Sequence, residues 1–464
     1  MATTPLFENR FFLGYLAILA WTPLPFGGAR PWAISLQVML CLILAATMLI
    51  SALRNNLDMA GALKPYKLPT LIFLLVPIWV TLQAMPLPAS MVATLSPGAI
   101  ELQSHLNSAN TLSLEPGITQ QMAALSWSFW LFFVMTLLLL DSSRRLKQLM
   151  AFIVFCGVFQ AVYGSIMTLS GLEWGFFIEK EFYRGRATGT FVNRNHLAGY
   201  LEMCLAVGIG LLVSSLGNDK AGSWRSSSRQ WLQTLLGPKI RLRIYLALMV
   251  IALVLTRSRM GNTAFFVSLT VCGILWMVLQ RKFSRGPIIL FASLLVVDAL
   301  IVGQWFGFEE LAQRLQGTTA ETESRDELAV NTIDLLQAYP LTGTGVGTFY
   351  SSFPSVRNQQ VTGFYYHAHS DYLEFPTDFG LIGVIPLMTL TGIALLSSIM
   401  ALRKRRNKPM LGAAFASLMG LMSLLIHSSV DFNLQIPSNG LLFILLLALA
   451  LCALRQESKS RQYQ

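Results

Sequence analysis

The sequence predicts an all-α polytopic membrane protein. Of its 464 residues, 54% are hydrophobic and only 12% are charged, and the mean hydropathy is +0.56. Soluble proteins carry about 25% charged residues. Long apolar runs recur along the chain, and basic residues collect in every second segment between them. Together these observations indicate a bundle of about 12 transmembrane helices with one large loop domain.

Twelve apolar runs are candidates for the spanning helices, because about 20 helical residues cross the ~30 Å hydrocarbon core of a bilayer. Only Thr256 to Gly261 divides the seventh run from the eighth, and the alternation of basic charge requires a turn there. The first run lacks a small-residue cleavage site, so we expect a retained helix and not a signal peptide. In order, the runs lie near residues 11–29, 32–53, 68–85, 122–140, 147–171, 194–215, 243–257, 260–280, 287–305, 377–401, 410–430 and 437–455.

The basic residues also predict an orientation. Alternate segments hold 24 of the 34 Lys and Arg residues but only 5 acidic residues, a net charge of +19. The positive-inside rule places these segments, and therefore both termini, in the cytoplasm. Such asymmetry indicates contact with anionic lipid headgroups, and no nucleic-acid partner is expected. The other ten basic residues, nine of them arginine, fall on the opposite side: Arg30, Lys180, Arg184, Arg186, Arg194, Arg257, Arg259, Arg314, Arg325 and Arg357.

Three external segments are long. Residues 86–121 contain no Lys or Arg and have the composition of a loop with proline and serine. Residues 172–193 are amphipathic and aromatic, as expected of a stretch at the membrane interface. The segment 306–376 has a helical pattern at 309–338 and a glycine-rich turn at 340–348. Loops of this length are usually functional. All five cysteines lie in apolar runs, so neither a disulfide framework nor a Cys-x-x-Cys metal site is predicted.

Four external arginines are the best candidates for binding a lipid-linked diphosphate: Arg186, Arg257, Arg259 and Arg325. The guanidinium is a planar, permanently charged fork that matches phosphate oxygens. When a diphosphate is a leaving group, negative charge grows on it, and fixed cations can stabilise that charge as a metal ion would. The alternative is that each arginine contacts lipid phosphates or pairs with one of the external acids.

Two histidines close the large loop just before an apolar run. His367, His369 and Asp371 alternate, so an extended chain would point all three to one side. A neutral imidazole is a natural general base for an acceptor hydroxyl. Two other interpretations stay open. The three residues hold a metal ion, or each histidine makes only a structural hydrogen bond.

The motifs, taken in order, resemble those of the bacterial O-antigen ligase and polysaccharide polymerase superfamily. The resemblance covers about residues 180–450, and it is specific as an ensemble although each piece alone is weak. The motifs are Arg186 to Tyr200, Thr256 to Gly261, Arg325 followed by Pro340 to Gly345 and Phe349, His367 to Leu373, Gly380 to Gly383, and His427 to Pro437.

This resemblance implies an inverting glycosyltransferase that needs no metal and no cofactor. Its donor is an undecaprenyl-diphosphate-linked glycan, and its active site faces the periplasm from the bacterial inner membrane. The implied diphosphate ligands are Arg186, Arg259 and Arg325, and the implied catalytic histidine is His369 or His367. We favour His369, because a small polar residue and a hydrophobic stretch follow it. Asn193 and Asn195 match an Asn-x-Asn pattern of the superfamily and also fit a helix cap, and Asp371 is a supporting residue.

The resemblance also implies a C-type membrane glycosyltransferase fold with three parts. These are an N-terminal transmembrane bundle (1–171), an O-antigen ligase-like catalytic region (172–455) that includes the periplasmic loop 306–376, and a cytoplasmic tail (456–464). The favoured activity is ligation to lipid A core. A polymerase with the same donor, a protein O-oligosaccharyltransferase and a transporter or flippase are the alternatives. Transporters place ionisable groups near the bilayer midplane, where this chain offers only Glu202, Asp298 and Asp378.

Overall fold

The computed structural model describes residues 6–106, 110–215, 238–280, 320–359, 361 and 364–455. These residues form helices and connecting loops, with one isolated bridge between Trp174 and Glu179. The predicted all-α class is confirmed. The helices are α1 (Asn9–Trp21), α2 (Pro31–Arg54), α3 (Met59–Leu63), α4 (Lys67–Ala84), α5 (Ala89–Leu95), α6 (Pro97–Leu106), α7 (Pro116–Leu139), α8 (Ser143–Leu169), α9 (Arg194–Ser215), α10 (Pro238–Leu255), α11 (Arg259–Gln280), α12 (Ala320–Ala338), α13 (Phe349–Ser352), α14 (Asp371–Lys404), α15 (Lys408–His427) and α16 (Pro437–Arg455).

The chain is a multi-pass membrane protein. Within the described ranges, nine helical stretches are long and apolar enough to cross a membrane: α2, α3 with α4, α7, α8, α9, α11, α14, α15 and α16. The first predicted run forms only the 13-residue α1. The seventh forms α10, whose first turns carry Lys239, Arg241 and Arg243. The predicted run 287–305 lies outside the described residues.

The centre of the bundle consists of α9, α15 and α16. In the most apolar 18-residue stretch of each helix, 94% of the α16 residues and 89% of the α9 residues are buried, but only 22% of the α2 residues are. Helices that are hydrophobic on every side suit such a centre. Close packing of α9 on α15 requires small residues, because a Cβ on Gly210 would collide with the carbonyl oxygen of Gly412. This packing positions the loop that follows α15.

The two ends of the bundle differ in the polar groups that they hold. The end called here the site end holds the last residues of α4, α8, α10 and α15 and the first residues of α7, α9, α11, α14 and α16. It also carries residues 427–436, called here the 427–436 loop. The opposite end holds basic side chains on carbonyl groups, such as Arg145 on Phe7 and Arg405 on Leu454.

Helix α14 is broken near the site end. Gly380 has φ 62° and ψ 176°, which ends the first segment of the helix. The glycine-rich turn fits into the break, where the N–H groups of Leu381 and Ile382 donate to the carbonyls of Pro340 and Leu341. Gly343, Gly345 and Gly347 have positive φ, so the predicted tight turn at 340–348 is confirmed.

Residues 86–121 are more ordered than their composition predicts, and the expectation of a plain loop is wrong there. They contain α5 and α6, and α7 begins at Pro116 instead of near 122. Val92, Ala99 and Leu112 form a small core beside Tyr339. Burial raises the pKa of the Tyr339 phenol, and the nearby carboxylate of Glu101 raises it further. Proline at the first helical positions and this apolar contact explain the helices.

Candidate active site

A histidine and a carboxylate form a close pair at the start of α14. His367 Nδ1 lies 2.7 Å from Glu374 Oε1, and the backbone N–H of Ala368 donates to Glu374 Oε2 at 2.8 Å. The Glu374 side chain is buried, whereas 31% of the His367 side chain is exposed. A carboxylate on Nδ1 fixes the imidazole ring and leaves Nε2 for a substrate. The pair therefore has the arrangement of an oriented general base.

Three histidines surround the ring of Phe432 in the 427–436 loop. His367 stacks on this ring with 4.1 Å between the ring centroids, and His196 and His369 meet it edge-on at 4.6 and 5.1 Å. His369 has φ 53°, a left-handed conformation that is uncommon for residues other than glycine. Strained backbone of this kind clusters at functional sites. Phe432 thus brings the start of α9 together with the segment before α14.

Asp431 is the polar centre of the same loop. Its carboxylate accepts hydrogen bonds from the side-chain amide of Asn195 and, at 2.8 Å, from the backbone N–H of Phe432. His196 Nε2 lies 3.8 Å from Asp431 Oδ1, and His427 Nε2 lies 4.0 Å from Asp431 Oδ2. Neither Nε2 atom has a hydrogen-bond partner among the described atoms. One carboxylate therefore faces two buried imidazoles from different helices.

A buried pair of one histidine and one glutamate continues this polar group into the bundle. His427 Nδ1 lies 2.7 Å from Glu202 Oε1, and Ser423 Oγ donates to Glu202 Oε2 at 2.7 Å. The Glu202 and His427 side chains have no exposed area. A buried charge is stable only when it is paired and hydrogen-bonded. Glu202 therefore serves to hold His427, whose Nε2 is turned toward Asp431.

Asp371 lies between this cluster and an apolar cavity. Its Oδ2 accepts from Ser428 Oγ at 2.6 Å and from the backbone N–H of Leu434 at 3.0 Å. Its Oδ1 is buried and has no hydrogen-bond partner among the described atoms. Asp371 lines a cavity of about 600 Å³ between α4, α7, α14 and α16. The lining reaches Leu447 of α16, ten residues below the first residue of that helix, which is roughly 15 Å at the helical rise. Met388, also in the lining, is 69% exposed on the outside of the bundle.

The arginine-bearing segments meet beside the start of α9. The backbone N–H of Ala187 donates to the carbonyl of Leu255 at 2.9 Å, which places residue 186 beside the end of α10. Arg257, with φ 53°, forms the turn between α10 and α11, and Arg259 opens α11. Both of these residues are exposed, and Arg186 is partly exposed. Three cationic side chains therefore come from two segments that lie side by side.

The first turn of α9 connects the arginines to the histidines. Arg194 Nη1 donates to the carbonyl of Arg257 at 2.7 Å, and the next residue, Asn195, donates to Asp431. Asn193 caps the helix, because its Oδ1 accepts the N–H of Asn195 at 2.9 Å. The cap interpretation of Asn193 is confirmed. The two groups of candidate residues therefore belong to one continuous region of the site end.

Arg325 lies on α12, but its side chain is outside what the structure describes, so its role stays a prediction. Asp298 and Arg314 are also outside the described residues. In the part of the chain that the structure describes, no three His, Cys, Asp or Glu side chains are grouped as a metal site would require. His367 instead contacts Glu374, and Asp371 contacts Ser428.

Several residues of this region were not expected from their sequence pattern. His196 and Phe432 fall inside the recognised motifs, but nothing in their spacing assigns them a role, and Glu374 directly follows the His367 to Leu373 motif. Glu374 has the one usable signal, because it lies seven residues after His367 and follows it into a helix. Asp431 contacts His196 only because α9 packs on α15, and no local pattern encodes that packing.

The fold and the site define a multi-pass membrane protein with a buried histidine and carboxylate cluster and exposed arginines at one end. Residues 244–388 match the family model of the O-antigen ligase. The matched segment holds Arg257, Arg259, Arg325 and the His367 to Glu374 stretch. The match confirms the resemblance to the O-antigen ligase superfamily, and it supports glycan transfer of the ligase or polymerase type. No significant match was found among curated proteins.

Proposed function

We propose that this protein transfers a glycan from an undecaprenyl diphosphate donor to a hydroxyl group of lipid A core, on the periplasmic side of the bacterial inner membrane. The observation that carries the proposal is the His367 and Glu374 pair, which stands in the same region as Arg257 and Arg259. A base and a set of cations are the two groups that such a transfer needs.

The base acts on the acceptor. His367 Nε2 takes the proton of the acceptor hydroxyl while the oxygen bonds to the anomeric carbon of the glycan. Glu374 on Nδ1 stabilises the imidazolium that forms. The bond between the anomeric carbon and the diphosphate oxygen breaks, and its electron pair stays with the diphosphate. The products are the glycosylated acceptor and undecaprenyl diphosphate, and the imidazolium returns its proton to water. Attack opposite the leaving group inverts the anomeric configuration.

The arginines act on the leaving group. Arg186, Arg257, Arg259 and, by prediction, Arg325 bind the diphosphate and stabilise the charge that it gains. Cations of this kind are effective where water is limited, and each typically contributes about 10²–10³ in rate. A metal ion is not needed in this mechanism, because the guanidinium groups supply the positive charge.

The apolar cavity supports a lipid-linked substrate. Among the described residues that line it, Asp371 alone has an ionisable side chain, and the others are mainly Phe, Leu, Met and Val side chains from spanning helices. A hydrocarbon chain that enters beside Met388 would therefore meet mainly apolar side chains. The cavity lies next to the 427–436 loop, so a lipid in it would have its head near the histidines.

The proposed orientation follows from the positive-inside rule. Cysteine at Gln359 should react with an impermeant thiol reagent on intact spheroplasts, whereas cysteine at Asn407 should not. The five native cysteines are buried, which keeps the background low. Labelling at both positions, or at Asn407 alone, would reject the orientation.

The transfer itself is tested with purified protein in vesicles. The donor is an undecaprenyl-diphosphate-linked oligosaccharide, and the acceptors, in parallel, are lipopolysaccharide core and a second lipid-linked repeat. We expect glycan on the lipid A core together with an equal amount of undecaprenyl diphosphate. Elongation of the second acceptor alone would favour the polymerase, and no use of either acceptor would reject glycan transfer.

A further inference from the structure

Three exposed aromatic residues lie in the external segment before α14, and two of them stack on each other. The rings of Tyr350 and Tyr366 stack with 4.5 Å between centroids and 8° between planes. They are 41% and 67% exposed, and Phe364 is 75% exposed. The guanidinium of Arg357 lies over the Phe364 ring at 5.8 Å. We call Tyr350, Tyr366 and Phe364 the aromatic platform.

The platform is held in place by a small core beneath it. Phe349, the residue before Tyr350, is 1% exposed and stacks on Phe353 at 5.1 Å. Tyr365, the residue before Tyr366, packs on Phe353 at 6.4 Å and on His369 at 6.3 Å. Each tyrosine of the platform therefore follows an aromatic residue that packs on Phe353. Stacked rings with anchored backbones are prepared for a ligand before it arrives.

Clustered exposed aromatic rings on a polar surface mark a binding site, because isolated exposed apolar residues are common but contiguous ones are not. A pyranose fits this surface. Its C–H groups carry partial positive charge and pack on the negative face of an aromatic ring. Its hydroxyl groups can bond to the tyrosine hydroxyls and the Arg357 guanidinium.

We propose that the aromatic platform binds a pyranose ring of the glycan next to the transfer site. The inference rests on the proposed function for the direction of transfer, and its position follows from the chain, because Tyr366 directly precedes His367. A ring held there would be one sugar of either the donor glycan or the acceptor glycan. Both have the same chemistry, so the experiment separates them.

The test measures binding without transfer. Two free oligosaccharides serve as probes: one released by mild acid from the undecaprenyl-linked pool, and the core oligosaccharide released from lipopolysaccharide. Binding to the purified full chain in detergent is followed by saturation-transfer NMR and titration. Tyr366→Ala and Tyr350→Ala should each weaken binding of one probe roughly three- to tenfold, the effect of losing one aromatic contact. Tyr366→Phe keeps the ring and should stay within about twofold.

The matched control is Phe177→Ala, which removes another exposed ring, 79% exposed, from a different external segment. It should bind both probes as the wild type does. Weaker binding of the first probe assigns the platform to the donor, and weaker binding of the second assigns it to the acceptor. Unchanged binding in both alanine variants would overturn the proposal. So would variants that bind sugar normally but associate less with vesicles, because the rings would then be an interfacial belt. Sugar binding that depends on the platform in a protein without transfer activity would reject the proposed function and leave this inference standing.

Discussion

The histidine cluster and the arginine-bearing turn lie in one region but are built in opposite ways. Around Asp431 and Glu374 the carboxylates are buried and their oxygens are bonded to N–H groups or face imidazoles. Arg257 and Arg259 are exposed at the turn between α10 and α11. Buried charge must be paired within the protein, whereas exposed guanidinium groups can stay hydrated until an anion arrives. In the proposed mechanism, the buried group is a base that is formed before the substrate binds, and the exposed arginines are cations that become paired only when the diphosphate arrives.

The largest effect should come from the base. His367→Ala should lower transfer by about 10²–10⁴-fold, while the variant still binds the lipid-linked donor through the arginines. The measurement is the initial rate of transfer together with donor binding in a pull-down. His369→Ala is the matched variant, because the sequence motif favours His369 and the contact with Glu374 favours His367. A larger loss in His369→Ala would move the base to that residue.

Substitution of the arginines at the turn between α10 and α11 should have the next largest effect on transfer. Arg259→Ala and Arg257→Ala should each lower transfer by about 10²–10³-fold, and they should weaken donor binding, which His367→Ala does not. Arg259→Lys and Arg257→Lys should restore little of the transfer rate, because lysine keeps the positive charge but lacks the planar fork of the guanidinium. Arg30→Ala, an exposed arginine with its guanidinium over Phe26, is the control and should transfer normally. Normal transfer in the first two variants would remove the turn from the site.

Loss of the buried contact between Glu202 and His427 should lower the stability of the protein. His427→Ala leaves Glu202 buried without its imidazole, which should lower the free energy of unfolding by about 3–5 kcal/mol. Ser423→Ala removes only a hydrogen bond to the same carboxylate and should cost about 1 kcal/mol. Thermal unfolding in detergent measures both variants. Equal melting temperatures in the two variants would show that the His427 imidazole stabilises the Glu202 carboxyl group no more than a single hydrogen bond does.

The smallest effects are expected for Asn193 and Asn195, and the two substitutions should affect different properties. Asn193→Ala removes the α9 cap and should cost about 1 kcal/mol of stability with transfer nearly unchanged. Asn195→Ala removes the amide bonded to Asp431 and should lower transfer by roughly tenfold, as expected for a lost hydrogen bond to a charged group. A loss of transfer in Asn193→Ala that matches the loss in Asn195→Ala would mean that the cap, and not the Asp431 contact, positions the site.

Local patterns were enough to predict the spanning helices that the structure describes, and they also select the candidate bases, whose role stays a prediction. Apolar runs and alternating charge are local properties. The His367 to Asp371 stretch likewise places two histidines and an aspartate within five residues. Three features depend on packing and could not be predicted. Asp431 meets His196 only after α9 and α15 have packed, α14 breaks at Gly380 because the glycine turn bonds there, and α5 and α6 need the contact with Tyr339.

The most direct test of the account is transfer in the presence of a chelator. Purified protein in vesicles is incubated with EDTA, and released undecaprenyl diphosphate is counted against transferred glycan. We expect one undecaprenyl diphosphate for each glycan transferred, at an unchanged rate, and we expect both products to be lost in His367→Ala. Transfer that stops on chelation and returns with one divalent ion, together with that ion bound stoichiometrically to the protein, would contradict a mechanism based on arginines and a histidine base.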